Sequence, residues 1–146
     1  MLELKKADKK YVEKIIPSFM KAFNEGEWSQ NWLEETTRAS LENIFLFPNF
    51  YGLVAIADGK EVGAILGHIQ TFNDSKTYYI DELFVDPIYQ NQGIAKKLYQ
   101  KAIEELKEQK ISGAFFTTLR NSRAYDFYVS QGAIDLEGSA VFYHPF

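Results

Sequence analysis

The stretch Gln90-Asn91-Gln92-Gly93-Ile94-Ala95 constrains this chain more than any other. An apolar run with strand character, residues 78–85, precedes it and closes on Asp86-Pro87. A helical repeat starts directly behind it, with Ile94, Ala95, Leu98, Tyr99, Ala102, Ile103 and Leu106 on one stripe. The chain must therefore run strand, short polar loop, helix. The first amides of a helix lack intrahelical partners and, with the helix dipole, attract negative charge. Gly93 has no side chain to keep an anion off the backbone. The loop is a candidate pyrophosphate cradle. It matches neither G-x-x-x-x-G-K-[ST] nor G-x-G-x-x-G, which excludes a Walker-type loop and a dinucleotide fingerprint.

The flanking pattern predicts one domain over residues 1–146, a length that suits a single core. Residues 2–6 read as a first strand. Asp8 can cap a helix with the stripe Val12, Ile15, Ile16, Phe19, Met20 and Phe23, and Pro17 inside it predicts a kink or break. A second helix is expected over 31–45 with Leu33, Leu41, Ile44 and Phe45 inward. Strands follow over 51–57, 61–72 and 78–85, joined at Asp58-Gly59 and at residues 73–76. A helix over 93–109, a strand over 111–118, a helix from Asn121 and two short C-terminal strands complete the order β-α-α-β-β-β-α-β-α-β-β.

Composition removes several function classes. No cysteine is present, so disulfides and a cysteine nucleophile are excluded. His68 and His144 are the only histidines, which leaves no basis for a zinc site; no metal is expected. A net charge of −4 argues against nucleic acid as the partner and suits a cationic substrate. No apolar run is long enough for a membrane span, and the first residues lack a signal-peptide stretch, so a cytoplasmic protein is expected.

A second motif runs from Asn121 to Gly132: Asn121-Ser-Arg-Ala124-Tyr-Asp-Phe127-Tyr128-Val-Ser-Gln-Gly132. Asn121 suits a helix N-cap and Gly132 the position past a helix end. Gln90-x-x-Gly93-x-Ala95 fits [QR]-x-x-G-x-[GA], and the second motif fits N-x-x-A-x-x-F-Y-x-x-x-G. In this order, spacing and context the chain resembles the GCN5-related N-acetyltransferase (GNAT) superfamily over nearly its whole length. Ala133 departs from the phenylalanine the family often has there.

The resemblance implies an α/β (α+β) fold: a mixed, mostly antiparallel sheet of about seven strands with four helices, splayed beyond strand 78–85 to admit acetyl-CoA. It implies acetyl transfer to a primary amine by direct attack. Gln90, Asn91, Gln92, Gly93, Ile94, Ala95 and Lys96 would take the pyrophosphate. Backbone groups of Leu83, Phe84 and Val85 would run along the pantetheine and hold the thioester oxygen. Asn121 would bond the pantetheine arm, and Tyr128 would protonate the departing thiolate. Asp81 and Glu82 are the base candidates, anomalous carboxylates in an otherwise apolar strand. Alternation places them on opposite faces, with Asp81 slightly favoured, a choice that a bulge would reverse. His68 reads as structural.

The acceptor is less specified. Glu25, Glu27, Glu34, Glu35 and Glu42 surround Arg38, with Trp28 and Trp32 interleaved, and acid plus aromatic faces suit a cationic amine. The same stretch also reads as a solvated helix face with tryptophans on the core or in a homodimer contact. Around it the chain resembles bacterial aminoglycoside 6'-N-acetyltransferase-like proteins. A polyamine, a small metabolic amine and a protein or peptide amine remain open, as does a non-catalytic acyl-CoA-binding module.

Overall fold

Strand β3 (Lys60–Phe72) is the spine of the structure, because both of its faces are buried from Val62 to Gly67. It pairs antiparallel with β2 (Phe50–Ala57) on one side and β4 (Ser75–Val85) on the other. β1 (Leu2–Lys6) adds antiparallel to β2, and β5 (Ala114–Phe115) adds parallel to β4, giving the order β1-β2-β3-β4-β5. The helices are α1 (Val12–Asn24), α2 (Glu34–Phe45), α3 (Ile94–Glu108) and α4 (Arg123–Ser130). The computed structural model describes residues 1–146, in two compact units, Met1–Phe116 and Thr117–Phe146.

In the first unit, α1 and α2 cover one sheet face. Phe19, Phe23, Leu41 and Ile44 pack there with Val54, Ala64, Leu66 and Phe84. α3 covers the other face, where the Tyr51 hydroxyl donates to Glu105 at 2.5 Å. The Tyr78 hydroxyl donates to the Tyr51 carbonyl at 2.7 Å, tying β4 to β2 across β3. Asp58 (φ 52°) and Gly59 (φ 75°) both take the left-handed conformation that a two-residue hairpin requires.

Several local expectations change. The sheet has five strands rather than about seven: residues 133–146 contain turns but no strand, and Val141, Phe142 and Tyr143 are exposed. These residues form no ladder, and the backbone groups of a strand are satisfied only by pairing. The expected strand over 111–118 contracts to Ala114–Phe115. α1 runs unbroken through Pro17, which lies on its exposed side, where the carbonyl that loses its partner can meet water. Asp8 caps a short 3-10 turn, Lys9–Tyr11, that leads into α1. α2 starts at Glu34 and Leu33 is exposed.

In the second unit, Ser122 caps α4: its hydroxyl accepts from the Tyr125 amide at 3.0 Å. Asn121, the expected cap, lies one residue earlier in the left-handed region at φ 62°. Gly132 (φ 99°) ends the helix. Its amide bonds the Val129 carbonyl, and the Ala133 amide bonds the Tyr128 carbonyl, a Schellman closure.

Candidate active site

The site is organised by a β-bulge. Leu66 on β3 stands opposite Glu82, yet the next β3 residue, Gly67, stands opposite Ile80. Asp81 is the extra residue. On the N-terminal side of it Tyr79 shares a face with its partner His68; on the C-terminal side Glu82 shares a face with its partner Leu66. Leu66 and His68 are two apart on one strand and point the same way. The bulge therefore brings Asp81 and Glu82 to one face, that of α1 and α2, and corrects the expectation of opposite faces.

The two carboxyls differ in surroundings. Asp81 Oδ2 lies 2.8 Å from Nδ1 of His68, and the second ring nitrogen of His68 lies 3.1 Å from the Gln70 amide nitrogen. The rings of Phe47 and Tyr79 flank the imidazole at 4.6 and 5.7 Å. Burial raises the Asp81 carboxyl above its ordinary range, and the His68 hydrogen bond works against that rise. Glu82 is pushed up to about 8, first by burial and then by the Asp81 charge, and no cation opposes the shift. Glu82 is thus poised to exchange a proton near neutral pH.

The same face continues into an aromatic wall. Phe19 meets Phe84 at 5.3 Å and Trp32 at 5.0 Å, and Phe23 meets Trp28 at 5.8 Å, each edge to face. Both tryptophans are half-buried against the core. Asn24 shapes the connecting loop by bonding the Trp32 backbone twice, accepting from its amide at 2.7 Å and donating to its carbonyl at 2.9 Å. Of the acidic residues, Glu34 is held by Arg38, which also grips Glu13; Glu25, Glu35 and Glu42 are exposed.

The loop after β4 has the geometry of an anion site. Gly93 takes φ 78°, and a Cβ on it would meet nothing within 4 Å, so the space above the loop is open. The first intrahelical bond of α3 runs from the Lys97 amide to the Gly93 carbonyl, which leaves the amides of Ile94, Ala95 and Lys96 at the open end. Asn91 is also left-handed, and Gln92 and Lys96 are exposed. Gln90 turns back and donates from its side chain to the Val85 carbonyl at 3.0 Å, bracing loop to strand. The buried Asp86 accepts from the Ile88 amide and pairs with Lys21 of α1 at 3.7 Å.

β4 itself has an open edge. β5 pairs only with Tyr78 and Tyr79. The Asp86 amide donates to the Val62 carbonyl of β3. By alternation the amides of Glu82 and Phe84 face β3, and those of Leu83 and Val85 face the side that β5 has left.

The first unit thus brings together Asp81 and Glu82, the Leu83–Val85 edge and the loop from Gln90 to Lys96. Asn121 and Tyr128 belong to the second unit, Asn121 exposed at the entry to α4 and Tyr128 half-buried in its body. The neighbour of Asp81 that sequence reasoning did not place is His68. Its only signal was a histidine on the strand next to the carboxylates, and pairing register was needed to place it beside Asp81.

A family model described as "Acetyltransferase (GNAT) family" matches residues 16–133. Solved structures share the fold along the whole chain. Aminoglycoside N-acetyltransferase AAC(6')-Iy, in complex with CoA, superposes with TM-score 0.77 at 16% identity, covering 99% of this chain and 95% of that one. The aminoglycoside acetyltransferase meta-AAC0020 from an uncultured soil metagenomic sample, in complex with sisomicin, gives 0.76 at 24% identity, covering 99% and 96%. A ribosomal-protein-alanine N-acetyltransferase from Brucella melitensis biovar Abortus 2308 gives 0.75 at 15% identity, covering both chains fully at 100%. At these identities the likeness establishes the fold.

Proposed function

The chain belongs to the acetyltransferase (GNAT) family and is an acetyl-CoA-dependent N-acetyltransferase, and we propose that its acceptor is a small cationic primary amine attacking directly in a ternary complex. The observation that carries this reading is the bulge that sets Asp81 and Glu82 on one face, continuous with the aromatic wall of Phe84, Phe19, Trp32, Phe23 and Trp28. Carboxylates attract an ammonium group, and aromatic faces favour it further. Aminoglycosides and polyamines have this chemistry, and two of the similar solved structures are aminoglycoside acetyltransferases.

The residues present fit the coenzyme. The free amides of Ile94, Ala95 and Lys96 and the open space over Gly93 suit a pyrophosphate, with Gln90 fixing the loop and Asn91, Gln92 and Lys96 at its rim. The amides of Leu83 and Val85, on either side of Phe84, suit the pantetheine arm and the thioester oxygen, and Asn121 would add a bond to that arm. The coenzyme supplies an activated acetyl group. In the reaction a C–N bond forms and the C–S bond breaks. Asp81 or Glu82 takes the proton that the amine must lose, and Tyr128 gives one to the departing sulfur. A cytoplasmic setting suits a soluble acetyl-CoA pool, and the exposed Val141, Phe142 and Tyr143 would give a homodimer apolar surface to bury.

A thiol-release assay with acetyl-CoA against polyamines, aminoglycosides, small neutral amines and peptides tests this. Turnover led by small polycations supports the proposal. Preference for neutral or peptide acceptors would overturn the acceptor class. Coenzyme binding without turnover of any amine would favour a non-catalytic acyl-CoA-binding module.

A further inference from the structure

Two carboxyls on one face pose a question of roles, and the neighbours of Asp81 answer it. An amide nitrogen only donates, so Gln70, 3.1 Å from Nε2 of His68, makes that ring nitrogen the acceptor. The ring hydrogen then stands on Nδ1, aimed at Asp81 Oδ2 2.8 Å away. Phe47 and Tyr79 hold the ring in that pose. Glu82 has no such neighbour. We propose that His68 is a positioning residue of the reaction: by donating its Nδ1 hydrogen to Asp81 it keeps that carboxyl ionised to hold the acceptor's positive charge, and Glu82 receives the acceptor's proton. The inference rests on the acetyl-transfer reading above. One proton passes from the ammonium group to the Glu82 carboxylate, and no other bond changes in that step.

Of the other charges on the helices packed here, Lys14 of α1 lies over the Tyr11 ring and Glu35 and Glu42 of α2 are exposed. Lys21 of α1 pairs with Asp86, and Glu13 of α1 and Glu34 of α2 share Arg38. On the sheet, Asp81 bears on Glu82 and on Tyr78, and His68 bears on Asp81. The roles are therefore set within β3 and β4. The anionic Asp81 also raises its neighbour, since two adjacent carboxyls do not readily ionise together.

The test is a carbon-13 NMR titration of both carboxyls, with no substrate added. The variants are His68→Asn, whose amide nitrogen can replace Nδ1 as donor, His68→Leu, which has no donor, and Asp81→Asn. The Asp81 midpoint should rise in His68→Leu and stay in place in His68→Asn, and the Glu82 midpoint should fall in Asp81→Asn. With spermidine as acceptor, His68→Leu should chiefly raise KM, and Glu82→Gln should lower kcat by roughly 10²–10⁴. An unmoved Asp81 midpoint in folded His68→Leu would overturn the proposal. So would an Nε2–H tautomer of His68 in the parent, which nitrogen-15 shifts report even where His68→Leu does not fold. A parent that acetylates no amine would overturn the activity and the roles built on it; the carboxyl titration would still read the His68–Asp81 pairing by itself.

Discussion

A Cβ on Gly67 would lie 2.1 Å from the carbonyl oxygen of Tyr79, nearer than such atoms can stand. The ring of Tyr78 occupies the same space, 2.7 Å from that Cβ position, and carries its hydroxyl on to the Tyr51 carbonyl. Gly67 is also the β3 residue at which the bulge begins. The absent side chain admits the tyrosine, and the tyrosine fixes β4 where its register changes. Packing on the α3 face thus holds the carboxylates that emerge on the other face.

Gly67→Ala should therefore destabilise the fold by about 1–3 kcal/mol, the usual cost of overpacking. Gly113→Ala, where a Cβ would meet nothing, should stay within about 0.5 kcal/mol of the parent. Urea denaturation compares them. Equal midpoints would show that the β3–β4 contact yields freely.

Gly93→Val should weaken acetyl-CoA binding. It places a branched side chain over the open ground above the α3 amides, at a φ of 78° that L-residues adopt at a cost. Calorimetry should show lower affinity than the parent and than Lys97→Ala, which changes an exposed helix residue. Undiminished affinity would remove the loop from the coenzyme site.

Tyr128→Phe keeps the ring and removes the proton. If the hydroxyl protonates the departing thiolate, kcat should fall roughly 10²–10⁴-fold with coenzyme affinity retained. An unchanged kcat would make Tyr128 a packing residue of α4.

Glu82 gives a stability prediction with a definite sign. Its carboxyl is raised from 4.5 to about 8 in the folded chain. Between those values the folded state holds the proton more firmly than the unfolded state. The group's contribution is therefore fully present below about 4.5, and it is lost as pH rises toward 8. Glu82→Gln should gain in Tm relative to the parent from pH 5 to pH 8 while losing activity. A difference that does not change with pH would place Glu82 in ordinary solvent.

The sequence by itself determined what depends on neighbours along the chain. Strand, Gly93 turn and helix could be read directly, because helical and strand periods are local and glycine takes a left-handed turn without steric cost. Two motifs at fixed spacing sufficed for the family. Tertiary structure decided what depends on pairing. One extra residue, Asp81, turned two alternating carboxylates into a pair on one face, and the register between β3 and β4 set His68 against it. Neither follows from residue order, since a bulge costs one step of register and leaves the apolar pattern of the strand nearly intact. Residues 133–146 make the same point in reverse: they read as strands along the chain, but a strand needs a ladder, and they form none.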